Sequence, residues 1–417
     1  MKILSHKNQL LLIFLATSVI AIFRLIFLPT FVSRPDYYNF GQQLSVGGAN
    51  DFILHNPWGY TLPSLYPLLI NFSIQIGNWA KIHPLLSIYI FQAITYALTS
   101  TYLLYFLQHN LSRTLHPVIV TILPFAYVLH PMVILNIGRI EDNALSASIF
   151  LIGILLTLSI YQNNLPAKHL WFYAVVQAIS IALRPNLLLT FFVSMFFLIR
   201  KISLKNILSV SLCAMILPMC ISLVTKNRFE LLPRNGAYNF FIGNNPLTKE
   251  CVLANFSAEP CLQEMLHHYF MIENNEFTNI SFTDAQHKMY VWGLNYITHA
   301  PTAFIETTSA KIFNFFRPDI RATMHDSSWE SSFVIIFATI LALPISLFSM
   351  VIIYTYLRDK NLSRISQYMI WITIAYCSPI VLTQPEVRLR LPLDITFIIT
   401  TFVIFFTTRE RVHTPTN

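Results

Sequence analysis

This chain is short of two things: glycine and charge. Its 417 residues hold ten glycines, and Asp, Glu, Lys and Arg together make up 11%. So few glycines leave no Gly-rich loop whose backbone could cradle a nucleotide phosphate. A soluble domain carries about 25% charged residues, so a water-solvated surface over the whole chain is excluded as well. No Cys-x-x-Cys and no His-x-x-x-His occurs, and the adjacent His267 and His268 would point about 100° apart on a helix, so no zinc site is legible. Gly-x-Ser-x-Gly and nucleic-acid modules are missing, and no internal repeat supports an inverted-repeat transporter. What is abundant is apolar: 55% of residues are hydrophobic and the mean hydropathy is +0.56.

Apolar runs of about 20 residues, long enough to cross a hydrocarbon core, recur along the chain. The candidate spans are 9–29, 85–107, 117–136, 144–162, 170–184, 185–199, 206–225, 333–357, 366–383 and 391–408. The fold class is therefore an all-α polytopic membrane protein of about ten transmembrane helices. The first run contains Arg24 and is followed by no small-residue cleavage site, so it reads as a retained helix. The segment 62–79 is apolar, but Pro63, Pro67, Asn71 and Gln75 suit an interfacial helix better than a span. With that segment lying flat and the N-terminus inside, Lys2, Lys7, Arg113, Lys168, Arg200, Lys201, Lys205, Arg358, Lys360, Arg364, Arg409 and Arg411 all fall on the inner side. That satisfies the positive-inside rule and places both termini in the cytoplasm. The net charge of +8 needs no nucleic acid to account for it.

The same topology gathers Asp36, Asp51, Glu141, Asp142 and Glu386 at the outer boundary, with Asp394 just inside the last span. Arg34, Arg139, Arg184, Arg388 and Arg390 fall there too. Ionisable residues at membrane depth mark functional sites by default. The chain divides into an N-terminal transmembrane module, 1–225, with a first outer loop at 30–84; an outer-face segment, 226–332; and C-terminal helices, 333–417. Roughly 100 residues is too long for a plain connector, so 226–332 is expected to form a small, mostly helical outer domain. Phe282 to Tyr296 has helical spacing, with an aromatic stripe suited to packing. Cys213, Cys220 and Cys377 fall in predicted spans as apolar packers. Cys251 and Cys261 share the outer segment, where an oxidising exterior would let them form a disulfide.

Several short motifs occur in order: Asp36-Tyr37-Tyr38 after the first span, then Pro63-Ser64-Leu65-Tyr66-Pro67-Leu68-Leu69. Arg139-Ile140-Glu141-Asp142-Asn143-Ala144-Leu145 and Leu183-Arg184-Pro185 follow. Tyr238 to Pro246, His299-Ala300-Pro301 with Lys311, and Arg388-Leu389-Arg390-Leu391-Pro392-Leu393 complete the series. Together they resemble the polyprenyl-phosphate-sugar-dependent glycosyltransferases of the GT-C superfamily. The nearest branch is the bacterial relatives of the protein O-mannosyltransferases and the lipid A aminoarabinose transferases. Many members carry two adjacent acids in the first outer loop; here Tyr37 follows Asp36.

The resemblance implies an inverting sugar transfer at the periplasmic face of a bacterial inner membrane. The donor would be a polyprenyl-phosphate-linked sugar, and the acceptor a lipid such as lipid A, a glycan or a protein, among membrane lipids. The residues suit that chemistry. A carboxylate at the boundary, Asp36, can act as general base toward an acceptor hydroxyl. Guanidinium and ammonium groups hold a lipid phosphate through charge-assisted hydrogen bonds, and the candidates are Arg184, Arg388, Arg390 and Lys311, then Arg317. Glu141 and Asp142 would orient the acceptor or complete a divalent metal site with Asp36; no other cofactor is implied. Tyr37, Tyr38 and Asn244 are expected to line the donor and acceptor. The alternative function is a transporter or flippase of a lipid-linked glycan, or a non-catalytic envelope-assembly protein. A transporter places ionisable residues mid-span, whereas here they cluster at outer helix ends.

Overall fold

The computed structural model describes residues 6–27, 35–45, 63–111, 117–163, 167–234, 236–253, 282–316 and 364–383, with 392 and 394. Among these the fold is helical and contains no ladder of strands. The helices are α1 His6–Phe27, α2 Pro35–Ser45, α3 Leu65–Ala80, α4 Leu86–Phe106, α5 Pro117–Val128, α6 Pro131–Ile137, α7 Asn143–Asn163 and α8 Ala167–Leu183. They continue as α9 Leu187–Leu198, α10 Leu204–Lys226, α11 Gly236–Gly243, α12 Thr248–Leu253, α13 Phe282–His299, α14 Pro301–Phe316 and α15 Arg364–Leu382.

Five stretches among the described residues are long and apolar enough to cross a membrane: His6–Phe27, Leu86–Asn110, Asn143–Gln162, Leu204–Lys226 and Arg364–Leu382. Two shorter apolar helices, His169–Leu183 and Leu187–Leu198, cover the expected spans 170–184 and 185–199. The expected spans 333–357 and 391–408 lie outside the described residues, apart from single positions 392 and 394. One expected span is broken. The stretch 117–136 divides into α5 and α6, because Pro131 has no N–H and holds His130 extended, at φ −67° and ψ 114°. Along the stretch 62–79, expected to be interfacial, lies a helix, α3, that is not among the membrane-length ones.

The core sits around α7, which has 83% of its most apolar window buried inside the protein. α4 packs on α7 and on α1, α8 packs on α7 and α10, and α9 packs on α15. The outer helices of this bundle wear their apolar side chains outward. In α1, Leu11, Leu12, Leu15, Val19, Ile22, Phe23, Ile26 and Phe27 are exposed, while Thr17, Ala21 and Arg24 face inward. That inversion is what a lipid solvent selects, since small and polar residues let helices approach while large apolar ones meet acyl chains. Thr17 reaches across to α4, where the Ser100 hydroxyl donates to Thr17 Oγ1 at 3.3 Å.

Within the expected outer-face segment, 226–332, α11 packs on α13 and α12 on α14. The expected helix from Phe282 is there as α13, and its aromatic residues pack: Phe241 meets Trp292 at 5.7 Å between centroids and Phe240 meets Tyr290 at 5.7 Å. α13 ends at His299, and Pro301 opens α14 where a missing N–H costs nothing.

Candidate active site

The site is built where two helix ends of opposite polarity meet. α8 stops at Leu183 because Pro185 follows, leaving Arg184 at the C-terminal end of that helix; its N–H still donates to Ser180 O at 2.8 Å. Asp142 stands immediately before α7, and its carbonyl accepts the Ser146 N–H at 2.8 Å. A cation at a helix C-terminus and an anion at a helix N-terminus are each favoured by the local backbone dipoles. The two side chains then pair: Arg184 Nε donates to Asp142 Oδ2 at 2.7 Å, with both groups buried. Arg184 also donates through Nη2 to Asn143 Oδ1 and through Nη1 to the Tyr376 hydroxyl of α15 at 3.4 Å. Among the described residues three of its five N–H donors are thus committed and two are left.

The neighbourhood is acidic and aromatic. Glu141 and Arg139 are buried beside Asp142, and Gln92 of α4 donates to Arg139 O at 3.2 Å. Tyr66 of α3 is fully buried, and its phenol is pushed well above the usual range, first by burial and then by the charges of Asp142 and Glu141. Arg24 of α1 is buried with its guanidinium packed against Gly138, at the root of this loop. α2 docks against the same patch. Phe40 shares a core cluster with Tyr66, Ile70, Ile140, Leu145 and Leu183. Gly41 allows that approach, because a Cβ there would stand 2.6 Å from Ile70 Cγ2. Asp36 and Tyr37 belong to the first turn of α2, one turn before Phe40, and their side chains lie outside the described residues. The Tyr38 hydroxyl accepts from Gln42 Nε2 at 2.7 Å within its own helix.

A second polar group sits further along α15. Lys311 of α14 is fully buried, and its Nζ donates to Asn244 Oδ1 at 3.4 Å. The Asn244 amide in turn donates to Phe240 O at 2.7 Å and to Leu382 O at 2.8 Å. Leu382 is six residues beyond Tyr376, about 9 Å along α15 by helical rise. Burial alone lowers the Lys311 amine from 10.5 to about 8. Below pH 8 the buried charge therefore costs stability, and that cost fades as pH rises from about 8 to 10.5. An anion placed beside the amine would remove the same cost.

Arg388, Arg390, Arg317, Glu386, Asp51 and Cys261 lie outside the described residues. Cys251 is disulfide-bonded, while Cys213, Cys220 and Cys377 are free. Among the described residues no group of three or more His, Cys, Asp or Glu side chains could hold a metal ion. Glu141 and Asp142 are adjacent in sequence, but the Asp142 carboxylate is already paired with Arg184. A shallow crevice near this region is lined by Pro63, Ser64, Pro185, Ser222, Lys226 and Glu230.

The structure brings Glu141, Asp142 and Arg184 together and places Asn244 on Lys311. It adds residues to which sequence reasoning assigned no role. Tyr66 and Asn143 stand inside motifs that were noted for other members. Tyr376 lies mid-span with no local signal, and His130, 3.9 Å from Asp394, is marked only by the proline after it.

These features define a helical membrane protein with a buried charged cluster at one set of helix ends. No protein-family model and no curated protein matches the chain. Among solved structures it is similar to an archaeal oligosaccharyltransferase, AglB from Archaeoglobus fulgidus, in complex with an inhibitory peptide and a dolichol-phosphate. The identity is 13% and the TM-score 0.46, over 99% of this chain and 52% of that one, so the chain spans about half of that protein's length.

Proposed function

We propose that this chain is an integral-membrane glycosyltransferase that moves a sugar from a polyprenyl-phosphate donor to a lipid, glycan or protein acceptor at the outer face of the membrane. The observation that carries the reading is Lys311: a fully buried ammonium whose polar contact among the described residues is one 3.4 Å hydrogen bond to a neutral amide. A buried charge is normally compensated, and a bound phosphate would do so here. The Asp142–Arg184 assembly adds two guanidinium N–H groups with no partner among the described residues, and the sequence motifs add Arg388 and Arg390 as candidates for the lipid phosphate.

In the reaction, the acceptor hydroxyl oxygen attacks the anomeric carbon from the face opposite the phosphate. Asp36 takes the hydroxyl proton as the new C–O bond forms. The bond from the anomeric carbon to the phosphate oxygen breaks, and polyprenyl phosphate leaves with the electron pair. Lys311 and the arginines stabilise the charge that grows on it. Attack from the opposite face inverts the anomeric configuration. Glu141 and Asp142 orient the acceptor, Tyr37, Tyr38 and Asn244 line the site, and a Cys251–Cys261 disulfide braces the outer segment. Localisation to a bacterial inner membrane, with both termini inside, follows from the charge distribution and the family resemblance.

The experiment is binding of a short-chain polyprenyl phosphate to purified protein in nanodiscs. Wild type should bind, and Lys311→Met should bind at least tenfold more weakly. Wild-type affinity should fall as pH rises through about 8, where the Lys311 ammonium loses its proton. Equal affinity in the two proteins, or no pH dependence, would remove Lys311 from the phosphate site.

A further inference from the structure

α14 is built inside out. Its buried face combines three polar residues at i, i+4 and i+7, Thr307, Lys311 and Asn314, with the apolar Phe315. Its exposed face carries Ile305 at 63%, Ile312 at 45% and Phe313 at 69% exposure. In an aqueous cap a helix turns its apolar stripe inward and its charges outward.

Two of the polar side chains on the exposed arc bond within the protein, while Thr302 in the first turn is exposed. The Ser309 hydroxyl donates to Ile305 O at 2.8 Å, and Glu306 pairs with Lys249 of α12 at 2.7 Å. On the buried side the Thr307 hydroxyl meets the Tyr296 hydroxyl at 2.9 Å. This is the pattern that a solvent without hydrogen bonds imposes. α14 also packs against α15, a membrane-length helix, near the end where Leu382 is itself exposed. The apolar face of α14 therefore continues an apolar surface already present at a helix end.

We infer that α14 is a lipid-facing helix at the outer membrane boundary, with Ile305, Ile312 and Phe313 against acyl chains and Lys311 directed away from them. The outer segment is then part membrane element and not a wholly aqueous cap. A lipid-bordered helix that presents a cation on its inner side would give a lipid-linked phosphate a lateral approach, a consequence that rests on the function proposed above. The placement of the helix does not.

The test uses full-length protein in liposomes, with Cys213, Cys220 and Cys377 replaced by Ala and Cys251 kept. Single nitroxide labels replace Ile305 and Ile312. Leu212, on the exposed apolar face of α10, is the lipid reference, and Lys205, at the start of that helix, is the aqueous one. Collision with molecular oxygen and with a water-soluble nickel chelate is measured at each site. Labels at 305 and 312 should favour oxygen, as at 212. Either label behaving like 205 would overturn the inference, and so would shielding from both reagents, which would put a second protein on this face. No step of the measurement depends on sugar transfer, so its failure is separate from failure of the functional reading.

Discussion

At the scale of single residues, the Asp142–Arg184 pair is where electrostatics and backbone geometry coincide. Each group sits at the helix end whose partial charge favours it, and each is the other's counter-ion. Arg184→Met leaves the Asp142 carboxylate buried without its cation, which should cost about 3–5 kcal/mol. The thermal midpoint of the purified protein should fall accordingly. The double variant Asp142→Asn/Arg184→Met removes both charges and should recover much of that loss. A double variant no more stable than Arg184→Met would show that charge compensation is not what holds these helices together. Gly243 poses a steric question of the same kind. A Cβ there would collide with the Thr383 carbonyl oxygen, so no side chain fits without backbone movement. Gly243→Ala should lower the midpoint by the equivalent of about 1–3 kcal/mol, the usual cost of forced overpacking, and shift Asn244 off Leu382 O. An unchanged midpoint would mean that α11 and α15 do not approach this closely.

At the scale of elements, most helices were legible because each rests on a local signal. Pro185 ends α8, Pro301 opens α14, and long apolar runs mark α1, α4, α7, α10 and α15. The break between α5 and α6 was legible in principle. His130-Pro131 sits inside an apolar run, and hydropathy averaging hides a proline whose effect is on one residue's backbone. The site was legible only in part. Glu141, Asp142 and Arg184 stand at predicted helix ends, where charge in an apolar chain is conspicuous. Their partners Tyr66 and Tyr376 are tyrosines within apolar helices and look like packing until the fold delivers them. The reversed polarity of α14 was not legible either. Ile, Phe, Lys and Thr at helical spacing show that a helix has two faces, but only burial shows which face points inward.

At the scale of the whole molecule, the topology expected from the sequence separates the charges: a basic inner side, and carboxylates with guanidinium groups at the other helix ends. The fold draws Glu141, Asp142 and Arg184 into one buried cluster against Tyr376 of α15, and links Lys311 of α14 through Asn244 to Leu382 O, further along α15. An apolar exterior of this extent belongs in a bilayer, and a polar cluster at one end of the bundle suits chemistry at one face of it. The central claim is sugar transfer from a lipid phosphate with Asp36 as the base. Its most direct test offers a panel of radiolabelled undecaprenyl-phosphate sugars to wild type and to Asp36→Asn in membranes containing candidate acceptors. The account predicts transfer from one donor by wild type and loss of at least a hundredfold in the variant, with insertion and thermal midpoint unchanged. Full transfer by Asp36→Asn would contradict the assignment of the base. No transfer from any donor, by a protein that still binds and translocates lipid-linked glycan, would contradict the transferase reading itself.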